Sequence, residues 1–234
     1  ITAIDGFQYL INLGKATPYT QEATIALFEV RLLQLYQQQT IDNTNAKLLD
    51  NDLKKYFENI YKGSYKDFYK IVLNSINNKK KMFIVTANPS TLMNAERDSV
   101  VSDILLDKNN YVVSDGIGLI KVLKKFNYDI KERITGVDLV NDLLITANQK
   151  KLKVYFFGAT EEVRIKLLDK VNVDYPNINV VGSCNGYVED KNKVFEEIVK
   201  LKPDIVLLAM GIPMQEKLIY DNIDKFDKGI FMGI

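Results

Sequence analysis

The sequence predicts an α/β fold: a Rossmann-like, doubly wound, mainly parallel sheet preceded by an N-terminal helical region. Beyond residue 80, short β-rich runs alternate with amphipathic segments, the order that builds strand-helix-strand units. Two of the apolar runs, those ahead of Asp115 and Gly211, read as buried parallel strands. Several runs end in glycine-bearing turns that lead straight into helical patterns. On this reading residues 64–234 form the sheet domain, and residues 1–63 form a helical region of unassigned role.

Before residue 80, Gln21 to Gln38 and Leu48 to Ile76 are rich in Leu, Gln, Lys and Tyr. Apolar residues recur at helical spacing, as in Leu27, Val30, Leu33, Leu35 and Tyr36, a face that suits core or a subunit contact equally. Turn-like Ile41 to Asn45 and the neighbourhood of Gly63 interrupt these helices. The expected strands are Met82 to Thr86, Tyr111 to Val113, Lys153 to Phe157, Asn179 to Val181, Ile205 to Ala209 and Ile230 to Met232. Helices fill the intervals, two of their starts marked by Thr160-Glu161-Glu162 and by Asp190, whose side chains cap exposed amides. No internal repeat or low-complexity linker divides the chain.

Composition narrows the chemistry. The 234 residues are 47% hydrophobic and sum to a net charge of +1, enough for one large core and without the basic excess that a nucleic-acid partner demands. The Lys-rich stretch Asn77 to Lys81 reads as a solvated helix end or loop. The chain contains no histidine, so Ser-His-Asp and Cys-His mechanisms are excluded and proton transfer falls to Asp, Glu, Lys, Tyr or water. Cys184 is the only cysteine, which excludes an intrachain disulfide and a thiolate zinc cluster and fits a reducing compartment. No run of eighteen apolar residues and no signal peptide is present, so a soluble or peripheral protein is expected. A start at Ile1 and an end inside the apolar run Gly229 to Ile234 are what a fragment would show.

Open α/β sheets bind ligands outside the carboxyl ends of their strands, so the segments that follow the runs are the candidates. Thr86-Ala87-Asn88-Pro89-Ser90 offers two polar side chains beside a helix start, with Pro89 just inside it; a plain helix cap is the competing reading. Asp115 emerges from Tyr111-Val112-Val113-Ser114 beside Gly116 and Gly118, where a carboxylate can take a proton from a substrate hydroxyl. An ordinary Asp-Gly turn is the alternative. Those glycines do not complete a dinucleotide fingerprint, because the third spaced glycine is missing.

Arg133, in Glu132-Arg133-Ile134-Thr135-Gly136-Val137-Asp138, presents a fork that suits a diphosphate, unless it merely pairs with Asp138 or Glu132. Gly158, in Phe156-Phe157-Gly158-Ala159-Thr160, and Tyr187, in Gly182 to Tyr187, mark two further strand ends with weaker signals. Gln215 and Glu216, in Gly211-Ile212-Pro213-Met214-Gln215-Glu216, place an amide and a carboxylate directly after a buried strand, where they read a base or sugar edge or simply begin a helix.

As a set, Thr86-Ala87-Asn88-Pro89, Asp115-Gly116-Ile117-Gly118, Glu132 to Leu139, Tyr155-Phe156-Phe157-Gly158-Ala159, Gly186-Tyr187 and Gly211 to Glu216 resemble, in order and approximate spacing, the bacterial glycosyltransferases named for WecG, TagA and CpsF. The resemblance covers residues 64–234. It implies transfer of an N-acetylmannosamine-type sugar from a UDP donor to N-acetylglucosamine on a polyprenyl diphosphate, in wall teichoic acid or surface polysaccharide synthesis, with no bound metal and no cofactor. Asp115 would be the general base, with Thr86 and Asn88 in the substrate pocket and Arg133 and Gln215 on the donor; Gly158, Tyr187 and Glu216 complete the expected substrate-binding set.

The helical lead-in is longer than the family's. Family members also continue past the position of Ile234 into a basic, partly apolar tail, expected to be missing here, that holds the membrane and helps close the site. The resemblance therefore implies a peripheral protein at the inner face of the plasma membrane, and the apolar face near Leu27 to Tyr36 allows a homo-oligomer. The competing expectation is a nucleotide-binding α/β domain without chemistry. A third, an NAD-linked oxidoreductase, is opposed by the incomplete glycine pattern.

Overall fold

The computed structural model describes residues 54–234. The helical segment expected over Gln21 to Gln38, with its apolar face at Leu27 to Tyr36, lies outside them. A helical stretch over 54–59 is followed by an isolated parallel bridge between Ile60 and Val112. Then come α1 (Tyr65–Asn77), β1 (Lys81–Ala87), α2 (Pro89–Ala95), α3 (Ser99–Leu106), β2 (Tyr111–Ser114), α4 (Ile117–Lys125), α5 (Gly136–Lys150), β3 (Lys153–Gly158), α6 (Glu161–Asp174), β4 (Asn179–Cys184), α7 (Lys191–Leu201), β5 (Ile205–Ala209), α8 (Met214–Asn222), a 3-10 turn (Ile223–Lys225) and β6 (Gly229–Gly233).

Six strands form one sheet in the order β2-β1-β6-β5-β3-β4, every neighbouring pair parallel. Parallel neighbours need crossovers, and the helices that supply them cover both faces. Phe83, Val85, Val112, Val206 and Phe231 project to one face, against α2, α3, α4, α7 and α8. Met82, Ile84, Val113, Val154 and Met232 project to the other, against α1, α5 and α6. Alternate residues of each strand therefore feed opposite cores, which is why β1 is buried continuously from Met82 to Ala87. Each fully buried Phe, such as Phe83 or Phe231, contributes roughly 2–3 kcal/mol through apolar area removed from water.

Residues just before 64 join this domain. Phe57 is buried completely, its ring 5.7 Å from Phe126 and 5.8 Å from Tyr128, and the Tyr61 amide donates to Val112 at 2.7 Å. At the opposite edge β4 is only half-buried, and α6 beside it buries Val171 alone.

Helix starts follow local chemistry. Asn88 accepts from the Thr91 amide while Thr91 returns a bond to the Asn88 amide, with Pro89 at the first helical position. Thr160 and Asp190 cap α6 and α7 through the amides of Val163 and Lys193. Asp98 caps α3 and also receives Lys217 of α8 at 2.5 Å, tying two helices together.

Candidate active site at the carboxyl ends of the strands

Parallel strands deliver their following turns to one edge of the sheet, so all eight expected site residues share the carboxyl edge. Four of them converge at the ends of β1 and β2. The Asp115 amide donates to Ala87 at 2.9 Å, holding the turn after β2 against the end of β1. A methyl group on Gly116 would stand 3.1 Å from Pro89 Cδ and 3.7 Å from Asn88 Cβ, so the two turns lie in contact. Asn88 itself is committed to capping α2.

The Asp115 side chain is fixed from two directions. Oδ2 accepts the Gly136 amide at 3.2 Å, at the N-terminus of α5 where the helix dipole favours a carboxylate. Oδ1 accepts from Arg133 Nη2 at 3.3 Å, and Arg133 Nε donates to the Asp115 carbonyl at 2.8 Å. Arg133 thus pairs with neither Glu132 nor Asp138, the partners sequence suggests; it clasps Asp115 by backbone and side chain together. Two of its five N–H groups are used in this clasp, leaving three to meet an anion.

Thr86 closes the cluster. A Cβ on Gly136 would lie 3.3 Å from Thr86 Cγ2, 3.4 Å from Met232 Cε and 3.5 Å from Asp115 Oδ2, so strands β1 and β6 and the turn after β2 meet over this glycine. Gly136 is the site residue that sequence reasoning passed over. Its signal was present, a glycine at the first position of a helix where only backbone offers a donor, but its partner Asp115 stands 21 residues away.

Gln215 and Glu216 sit at the end of β5 but are buried, 2% and 3% exposed. Gln215 Oε1 accepts the amides of Met210 and Gly211, both at 3.1 Å, and Nε2 donates to Glu216 Oε1 at 3.0 Å. Burial pushes the Glu216 carboxyl above its ordinary range, against the smaller opposing effect of the Gln215 bond.

Gly158 and Tyr187 lie farther along the edge. Gly158, at φ +132°, leaves no room for a side chain, because a Cβ would stand 2.2 Å from the Ala209 carbonyl oxygen. The Ala159 amide bonds Ala209 at 2.7 Å and its carbonyl takes the Gly186 amide at 2.8 Å, drawing the ends of β3, β4 and β5 together. Tyr187 is 79% exposed. Nearby, Arg164 donates to Ser183 Oγ at 2.6 Å and is forked onto Glu161, which also accepts from Asn185 at 3.2 Å. Cys184 is half-buried and its thiol is pushed up, chiefly by burial, in keeping with a structural residue rather than a nucleophile.

A cavity of about 400 Å³ adjoins Arg133, lined by Tyr65, Glu132, Asp138, Asn141 and Asp142. A roomier one, about 640 Å³, lies at the amino ends of β1 and β2 between Lys81, Tyr111, Tyr220 and Asp224. That end carries none of the turns described above, and size alone does not make it the site. Among the described residues no group of three acidic or cysteine side chains is gathered as metal ligands.

Residues 57–234 match the model of the glycosyl transferase WecG/TagA/CpsF family. This chain belongs to that family. Among curated relatives, N-acetylglucosaminyldiphosphoundecaprenol N-acetyl-beta-D-mannosaminyltransferase of Bacillus subtilis (strain 168) is 34% identical over 159 residues, 68% of this chain and 62% of the relative. The protein of the same name from Staphylococcus aureus (strain NCTC 8325 / PS 47) is 29% identical over 194 residues, 82% of this chain and 69% of the relative. The chain therefore spans less than two thirds of the length of the Bacillus relative. The family match covers the whole carboxyl edge, from the turn after β1 to the end of β6.

Proposed function

We propose that this chain is the catalytic domain of a transferase moving an N-acetylmannosamine-type sugar from UDP to N-acetylglucosamine on a polyprenyl diphosphate, a step of teichoic acid or surface polysaccharide synthesis. The observation that carries the reading is Asp115, held at a strand end by Arg133 and Gly136 with lone pairs to spare. Asp115 takes the proton of the acceptor hydroxyl as that oxygen attacks the anomeric carbon. The bond from that carbon to the donor diphosphate breaks, and UDP leaves with the electron pair. The remaining Arg133 N–H groups meet the diphosphate charge without a metal. The relatives' names support the acceptor class, and the family supports the reaction type. On the same reading the protein works at the inner face of the plasma membrane.

Replacing Asp115 by Asn is the test, because asparagine keeps the shape and cannot take the proton. Turnover of UDP-N-acetylmannosamine with a lipid-diphosphate acceptor analogue is expected to fall at least about a hundredfold, with UDP affinity retained. Unchanged turnover would remove Asp115 as base. UDP binding by the parent chain with no turnover, unaltered by Asp115→Asn, would favour the alternative, a nucleotide-binding domain without chemistry.

A further inference from the structure

We propose that Glu216 is a positioning residue of the donor site, acting through Gln215, and that Gly233 is the seat on which the Gln215 carboxamide rests. The proposal deepens the transferase reading and rests on its assignment of Gln215 to the donor.

Gln215 Oε1 accepts two backbone N–H groups, those of Met210 and Gly211, so the atom there must be oxygen and the orientation of the amide is fixed. Nε2 then points to the other side, where Glu216 Oε1 accepts one of its two hydrogens at 3.0 Å. The second hydrogen has no acceptor among the described residues. The carboxamide also lies flat against β6: a Cβ on Gly233 would stand 2.3 Å from Nε2 and 2.6 Å from Cδ, which no side chain could share without displacing it. Three contacts from three directions thus define one amide orientation.

Glu216 is otherwise hard to account for. Its Oε2 is buried and has no hydrogen-bond partner among the described residues, an arrangement that ordinarily costs stability. A carboxyl serving only to begin α8 would sit at the surface, as Glu161 and Glu162 do in α6. Burial favours its neutral form, and Oε1 is the oxygen that accepts from Gln215. A glutamine at 216 keeps the neutral side chain and the carbonyl oxygen that Gln215 needs.

The test compares Glu216→Ala, Glu216→Gln, Gly233→Ala and Gln215→Ala, reading donor KM and kcat separately and UDP affinity by calorimetry. Glu216→Ala and Gly233→Ala are each expected to raise donor KM about tenfold with kcat within about twofold, the scale of one lost hydrogen bond, and Glu216→Gln to recover most of that loss. Lowered thermal stability with unchanged KM in both Glu216→Ala and Gly233→Ala would overturn the proposal, as would a Glu216→Gln no better than Glu216→Ala. If Gln215→Ala leaves KM and UDP affinity unchanged, the donor assignment of Gln215 falls and the positioning role falls with it. Absence of transfer by the parent chain would count against the catalytic reading alone, and the positioning role would then stand or fall on the UDP affinities.

Discussion

Each carboxylate oxygen of Asp115 has two lone pairs and accepts one hydrogen bond, from Arg133 at Oδ1 and from Gly136 at Oδ2. The group is thus aimed without being saturated, which is what a base must be if it is to receive a hydroxyl proton in a defined direction. Gly136 matters here through what it lacks. Its position would put a Cβ within 3.5 Å of both Thr86 Cγ2 and Asp115 Oδ2. The tight approach is the 3.3 Å one to Thr86 Cγ2, and since Thr86 belongs to a strand buried on both sides, an added methyl pushes the start of α5 outward and carries the Gly136 amide away from Asp115 Oδ2. Gly136→Ala is therefore expected to fold, with a change in melting temperature of a few degrees, while kcat falls severalfold because the amide that aims the base is displaced. A variant with parental kcat would show that the tight approach over Gly136 has no bearing on Asp115.

The capping box at α2 shows how an element carries the site without touching chemistry. Asn88 is both a candidate substrate residue and the N-cap of a seven-residue helix whose first turn packs against the Asp115 turn. Asn88→Ala is expected to lower stability by about 1 kcal/mol, a shift of roughly 2–4 °C for a chain of this size. If Asn88 also meets substrate, Asn88→Asp, which keeps the cap, restores the melting temperature but not the KM. Recovery of both by Asp would leave the cap as its whole role. Legibility in the sequence varies by element for physical reasons. The limits of β5 are readable because Ile205 to Ala209 is uniformly apolar and ends at turn residues, whereas Gly182 to Cys184 reads as loop and is strand. Small and polar residues carry little β propensity, and their pairing with Tyr155, Phe156 and Phe157 of β3 supplies what propensity does not. Gly182 is even required there, since a Cβ would meet the Tyr155 ring at 2.6 Å. Asp115, Thr86 and Gln215 are legible as strand-end residues, but the grip of Arg133 on Asp115 and the seat of Gln215 on Gly233 are not, because both join segments distant in sequence through tertiary packing.

At the scale of the whole molecule, strand order decides how long a ligand the site can hold. The turn after β3 leads outward to β4 through α6, and the turn after β5 leads inward to β6 through α8, so the two neighbouring strands send their chains apart to opposite faces. Such divergence marks a switch point at the carboxyl ends of β3 and β5, where open α/β sheets as a class take nucleotides in a crevice. That place is two to three strand positions from β1, roughly 10–14 Å at the usual spacing, so a nucleotide seated there and a sugar held near Asp115 would span one continuous edge. Gly158 stands at the switch point, at a φ that side chains avoid and against the Ala209 carbonyl. UDP at a hundredfold excess over Kd is expected to stabilise the parent chain by about 2.7 kcal/mol, raising the melting temperature by roughly 5–10 °C. Gly158→Ala is expected to lower the starting temperature and to abolish most of that rise, while Asp115→Asn, at the far end, keeps it. Equal loss in both variants would place the nucleotide beside Asp115 instead, and the separation of a nucleotide end from a catalytic end would be wrong.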